Sequence, residues 1–233
     1  MTVTAFILKP YKDRVEILTD GARYLPDGTV VEITGKVRAS AFAPLAITGS
    51  GAVTAIDRLA DMILQAAEAT GSVDATMAVL ETSLGAIGAE GFASDSPVKI
   101  AIGAISETYG PVTLYFATFD EPGAPAPFVL HKMPLGFGQG EYPPHEEMVA
   151  QGWLPGASLE RLGPYMFDYM RARKRPNPAD PDAEQIYCVG GHLDLTIIRA
   201  DEYEQRRLVT WPDEVGQKIE PMAARSLRPD TSG

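Results

Sequence analysis

Only one cysteine, Cys188, occurs in the 233 residues, so the chain forms no internal disulfide and suits a reducing compartment. It stands in an apolar stretch with Ile186, Tyr187 and Val189, the setting of a buried small hydrophobe rather than a nucleophile. Basic residues are scarce: 20 Lys and Arg face 31 Asp and Glu, a formal charge of −11. That balance excludes the basic surface a nucleic acid needs and disfavours an anionic membrane surface. No apolar run is long enough to span a bilayer. Lys9, Lys12, Asp13 and Arg14 interrupt any leader-like pattern at the start, and a cytoplasmic protein is expected. The three histidines, His131, His145 and His192, lack metal-ligand spacing, and His145-Glu146-Glu147 lacks the second histidine of a metalloprotease helix. No metal and no cofactor is expected. The run Gly136-Phe137-Gly138-Gln139-Gly140 is not followed by Lys-Thr, so it reads as a turn rather than a phosphate cradle.

What is present is a hydrophobic content of 45%, enough for one domain over residues 1–225 with a real core. The tail 226–233 lacks apolar periodicity and is expected to be disordered. Thr2 to Leu8 and Val15 to Leu18 read as a hairpin around Lys9–Asp13. Val30 to Ile33 and a stretch from Lys36 into Leu45–Ile47 read as a second pair, after an Asp27-Gly28 turn. Val53, Ile56, Leu59, Ala60, Ile63, Leu64 and Ala67 recur at helical spacing, and Gly71-Ser72 ends that helix and caps the next. The pair is expected at roughly 52–70 and 73–88, adjacent and antiparallel on one outer side. Strands return at Val98–Ile105, Val112–Phe119 and Phe128–His131; Ser158–Met170 is a helix; Lys174–Glu184 is an exposed loop; Leu193–Ile198 is the last clear strand. Helices fall between blocks of strands rather than after each strand, an α+β order. Two antiparallel sheets packed face to face with outer helices follow.

Thr4, Asp20 and Lys36 stand sixteen and thirty-two residues apart from the first, Ile17-Leu18-Thr19-Asp20-Gly21 surrounds the aspartate, and Ala46-Ile47-Thr48-Gly49-Ser50-Gly51 precedes the first helix. In these features the chain resembles the proteasome β-subunit and its HslV-like relatives, of the N-terminal nucleophile (Ntn) hydrolase superfamily. Tyr109–Tyr115, Leu135–Gly140 and Val189–Asp194 resemble later segments of that family more weakly. The resemblance implies a four-layer αββα sandwich and a threonine-type hydrolase of peptide or small amide bonds. It implies that Thr4, or Thr2 once Met1 is removed, is the nucleophile, with its free amine as base. Lys36 supplies positive charge beside the hydroxyl, Asp20 holds the lysine, and backbone amides of Gly49, Ser50 and Gly51 face the oxyanion. Self-association into an oligomer or ring is implied as well.

The chain departs from the family at several positions. Thr4 is preceded by Val3 rather than glycine, and Thr2 would lie about 6.6 Å further along a strand. Gly140 or Glu141 stands where the family has a serine, and Ile186 and Val189 stand at the positions of an accessory aspartate and serine. A catalytically inactive proteasome-like scaffold or binding subunit is therefore the alternative expectation.

Overall fold

The computed structural model describes residues 5–89, 97–121, 123–154, 156–176, 182 and 184–221. Thr2, Thr4 and the tail 226–233 lie outside the described residues, as does most of the segment 177–183. The chain is α+β, with antiparallel sheets and, among the described residues, four helices.

One five-stranded sheet contains β1 (Phe6–Pro10), β2 (Val15–Asp20), β10 (Phe137–Gln139), β11 (His192–Ile198) and β12 (Tyr203–Thr210), in the order β10-β1-β2-β11-β12. The other contains β5 (Arg38–Ala39), β6 (Leu45–Gly51), β7 (Val98–Ser106), β8 (Gly110–Ala117) and β9 (His131–Lys132), in sequence order. Every pairing in both is antiparallel. A small hairpin joins β3 (Ala22–Tyr24) to β4 (Val30–Ile33).

Alternation along the strands sorts the core into three main clusters. Phe6, Leu8, Val15 and Ile17 of the first sheet meet Ala46 and Ala101 of the second. The sheets approach closely there because residue 103 is glycine: a Cβ would sit 2.8 Å from Val15 Cγ1. The opposite face of the second sheet, with Leu45, Ile47, Ile100, Ile102 and Phe116, is covered by α1 (Val53–Thr70) and α2 (Val73–Ala89). The remaining face of the first sheet, with Leu18, Leu193 and Leu195, is covered by α4 (Leu159–Arg171). A short helix, α3 (His145–Ala150), precedes α4.

Local chemistry accounts for the helix boundaries. Gly71 ends α1 in the left-handed conformation at φ 63°, its N–H donating to the Ala67 carbonyl. The Ser72 hydroxyl then accepts from Ala75 N at 3.2 Å at the start of α2. Glu107, from the β7–β8 turn, accepts the Val73 and Asp74 amides at 2.9 and 2.8 Å, and the Asp74 carboxylate in turn accepts the Thr108 amide at 3.0 Å. The hydroxyl of Ser106 foremost holds the Asp74 carboxyl below its usual range. At Glu107, desolvation acts upward, and the two amide bonds outweigh it, so its pKa also falls. A carboxyl depressed by folding contributes stability above its unfolded pKa and loses it as the pH falls through the folded value. Glu107→Ala is thus expected to cost about 1 kcal/mol near neutral pH, and urea unfolding at about pH 3, below the ordinary carboxyl pKa, should show the difference shrinking.

Four expectations are corrected. The strand expected over Phe128–His131 is only His131–Lys132, because Phe128 takes a positive φ of 56°, turning the chain. The glycine run 136–140 is not a simple turn: Phe137–Gln139 forms edge strand β10 against β1. Gly138 is favoured because a Cβ there would stand 2.6 Å from the Phe6 main-chain carbonyl, with the Tyr142 hydroxyl over the same position. Val30–Ile33 pairs with Ala22–Tyr24, not with the Lys36–Ile47 stretch, whose Leu45–Ile47 end opens β6 and pairs with β7. Finally, Leu193–Ile198 is followed by another strand, β12, whose largely exposed YEQRRLVT sequence carries no apolar alternation.

Candidate functional site

Asp20 closes β2, and Lys36 lies in the connection between β4 and β5. The structure brings them together. Lys36 Nζ donates to Asp20 Oδ1 at 2.9 Å and to the Ala22 carbonyl at 2.6 Å. The pair is dry, with side-chain exposures of 4% for Lys36 and 0% for Asp20. Two amides from distant parts of the chain complete the shell of the carboxylate. Ala5 N–H donates to Oδ1 at 3.1 Å, and Gly190 N–H donates to Oδ2 at 3.3 Å. The first of these is the amide of the peptide bond that joins Thr4 to Ala5.

Burial disfavours both charges. It pushes the Lys36 ammonium below the ordinary lysine range against the pull of the Asp20 carboxylate, and it raises Asp20 against the pull of Lys36. A lysine so placed is a desolvated, fixed positive centre. It can stabilise a developing alkoxide, or hold a neighbouring amine neutral, far better than an exposed lysine.

Gly49 shares a cavity with Lys36, along with Arg23, Arg38, Ile47 and Ile56. On the side of β6 facing away from β7, β5 pairs only with Ala46 and Ile47, so Thr48 to Gly51 have no strand partner there among the described residues. Ser50 is reached from the other sheet, its hydroxyl accepting from Gln139 Nε2 at 3.0 Å. Gly51 lies at φ 130°, and a Cβ there would stand 2.2 Å from the Pro97 carbonyl, so packing already requires its glycine. Asp20 and Lys36 therefore form one centre, Gly49 lines the cavity beside Lys36, Ser50 turns its hydroxyl to Gln139, and Gly51 packs against Pro97 and Val98. Thr4 and Thr2 lie outside the described residues.

Three neighbours of the centre were not singled out as site residues from the sequence. Gln139, on the edge strand that the glycine run disguised, bonds to Ser50 and lines a cavity with Ala5, whose amide donates to Asp20. Gly190, whose carbonyl also accepts from the Gly21 and Ala22 amides, belongs to a segment with no apolar pattern to mark its role. Cys188 is buried close by, and its thiol is pushed up to about 11 by burial first and by the Asp20 charge second. Such a thiol is held neutral, which fits the expected small hydrophobe and not a thiolate nucleophile. His192 is buried with Nε2 2.9 Å from Asp194 Oδ2, and its ring occupies the space a Cβ at Gly21 would need. Val189 packs into the cluster beneath α4. No helix among the described residues is long and apolar enough to cross a membrane.

No protein-family model matches the chain, and no curated protein matches it. The functional reading accordingly rests on the site.

Proposed function

We propose that the chain is a threonine-type N-terminal nucleophile hydrolase of peptide or small amide bonds, with the four-layer αββα sandwich of proteasome-like proteins. The observation that carries this reading is the buried Lys36–Asp20 pair, whose carboxylate also holds the Ala5 amide, one peptide bond from Thr4. A free threonine at that point would have its hydroxyl served by a fixed cation and its own amine as base.

In the first step the threonine Oγ attacks the substrate carbonyl carbon, and its proton passes to the α-amine. The oxyanion is stabilised by strand β6 amides near Gly49 and by Lys36. Collapse breaks the C–N bond, the amine returns the proton to the leaving nitrogen, and an ester to Oγ remains. Water then cleaves the ester by the same proton route and regenerates the hydroxyl. The reading requires a free N-terminal threonine: Thr4 after cleavage of the Val3–Thr4 bond, or Thr2 after loss of Met1. Intact mass of the protein purified from its source, before and after an acylating probe for N-terminal threonines, tests it. A mass beginning at Thr4 or Thr2 and gaining one adduct is expected; retained Met1 with no adduct would overturn it.

A second reading, a catalytically silent scaffold of the same fold, is favoured by one observation. Val189, at the position of an accessory polar residue, is committed to the core beneath α4. It leaves no side chain there to orient an amine. Both readings include self-association. Helix α2 carries only two charges, Asp74 and Glu81, and leaves Val79 46% exposed. A helix so apolar around its circumference is suited to a covered position. Light scattering at micromolar concentration should give a mass above that of one chain, and a strictly monomeric solution would count against assembly.

A further inference from the structure

On the β10 side, Gln139 of the first sheet bonds to Ser50 of the second, and Ser50 pairs with Lys99. Two adjoining cavities of about 410 and 350 Å³ open there and share Lys99, Glu121, Gln139 and Gly140 in their walls. The first begins at Ala5 and runs past Met170, Cys188 and Val189. The second is walled by Phe6, Tyr115, Met133 and Phe137. The rings are set in a fixed arrangement: Phe137 stands edge-on to Phe6, with centroids 5.8 Å apart, and to Tyr115, at 5.4 Å. The Lys99–Glu121 ion pair, 2.7 Å long, belongs to the shared wall. Gln139 gives its Nε2 to Ser50, while its Oε1 is buried with no hydrogen-bond partner among the described residues.

We propose that this trough binds a small amide or peptide, and that its far pocket takes an aromatic or bulky apolar side group. The proposal rests on the hydrolase reading only for what happens to the ligand; binding stands by itself. Three features support it. Each cavity falls within the range of about 300–1,000 Å³ typical of small-molecule sites. The far pocket offers ring edges and a methionine, which pack on a planar apolar group. Gln139 stands in the wall of both cavities, a neutral polar side chain among apolar neighbours that can pair with the ligand's amide. A charged side group would have to give up its water in the aromatic pocket, since Lys99 and Glu121 already neutralise each other. The trough starts at Ala5, so a ligand seated with its ring in the far pocket extends its amide toward the Asp20–Lys36 centre.

The test is titration of the full chain with N-acetyl-phenylalanine amide, followed by calorimetry or ligand-observed NMR, with N-acetyl-glycine amide as comparator. The aromatic amide is expected to bind at least about tenfold more tightly. Met133→Lys should weaken it by a similar factor. Met133 is half-buried, and its main-chain bonds with Thr113, N–H to carbonyl and carbonyl from hydroxyl, do not depend on the side chain. An unchanged urea midpoint would show that the variant is folded, and Gln139→Ala, several-fold weaker, gives an independent reading. Equal affinity for the two amides, undetectable binding of the aromatic one, or full binding by folded Met133→Lys would each overturn the proposal. Aromatic binding without threonine labelling would sink the hydrolase reading and leave the pocket standing. Labelling without aromatic preference would do the reverse.

Discussion

Asp20→Ala is expected to destabilise the protein by about 3–5 kcal/mol, the loss seen when one member of a buried ion pair is removed. Among the described residues Lys36 would keep only the Ala22 carbonyl to receive its ammonium, and the Ala5 and Gly190 amides would both lose their acceptor. An orphaned buried donor costs about 1–3 kcal/mol by itself, so the three losses place this site among the most sensitive in the chain. The double variant Asp20→Asn/Lys36→Met removes both charges and keeps an acceptor near the amides. It should recover most of the loss, because a buried ion pair replaced as a unit by neutral groups of similar volume is often close to neutral. Urea unfolding of the three proteins decides the matter. If Asp20→Ala unfolds within about 1 kcal/mol of the parent, outside the range for a broken buried pair, the dry carboxylate–ammonium contact is not what holds these segments together.

The same double variant separates stability from chemistry. Lys36→Ala should abolish acylation of an N-terminal threonine by an activity-based probe, a fall of about 10²-fold or more in rate. The loss arises because the hydroxyl is a weak nucleophile until a fixed cation lowers the cost of its alkoxide. Lys36→Ala also leaves Asp20 unpaired, so a silent protein could merely be an unfolded one. Asp20→Asn/Lys36→Met, expected to fold, should be equally silent. Labelling that persists in the folded double variant would show that Lys36 contributes packing and not reactivity.

How much of this was legible in the sequence differed by element. The helices α1 and α2 were readable because the apolar spacing of Val53 to Ala67 is regular and Gly71 can take the left-handed turn that ends the first. Strand β2 was readable in part, Val15 to Leu18, but it runs on through Thr19 and Asp20, polar residues that burial conceals. Strand β12 was illegible: its face is solvated, so nothing alternates. Strand β10 was hidden by glycines that serve packing, with Tyr142 lying over Gly138 and Met170 against Gly140. The Asp20–Lys36 contact was expected from a spacing that resembles a family's, not from periodicity. The Gly190 amide on Asp20 joins residues 170 positions apart, and no local pattern encodes it. Gln139 and the trough it borders required the two sheets to be brought face to face before they could be seen.

Peptide mapping of the mature protein after reaction with the N-terminal-threonine probe tests the central claim most directly. The account predicts a single adduct on a peptide whose first residue is Thr4, or Thr2, with Lys36 intact in the same molecule. An adduct on Cys188, or a mature chain that keeps Met1 and takes up no probe, would contradict it.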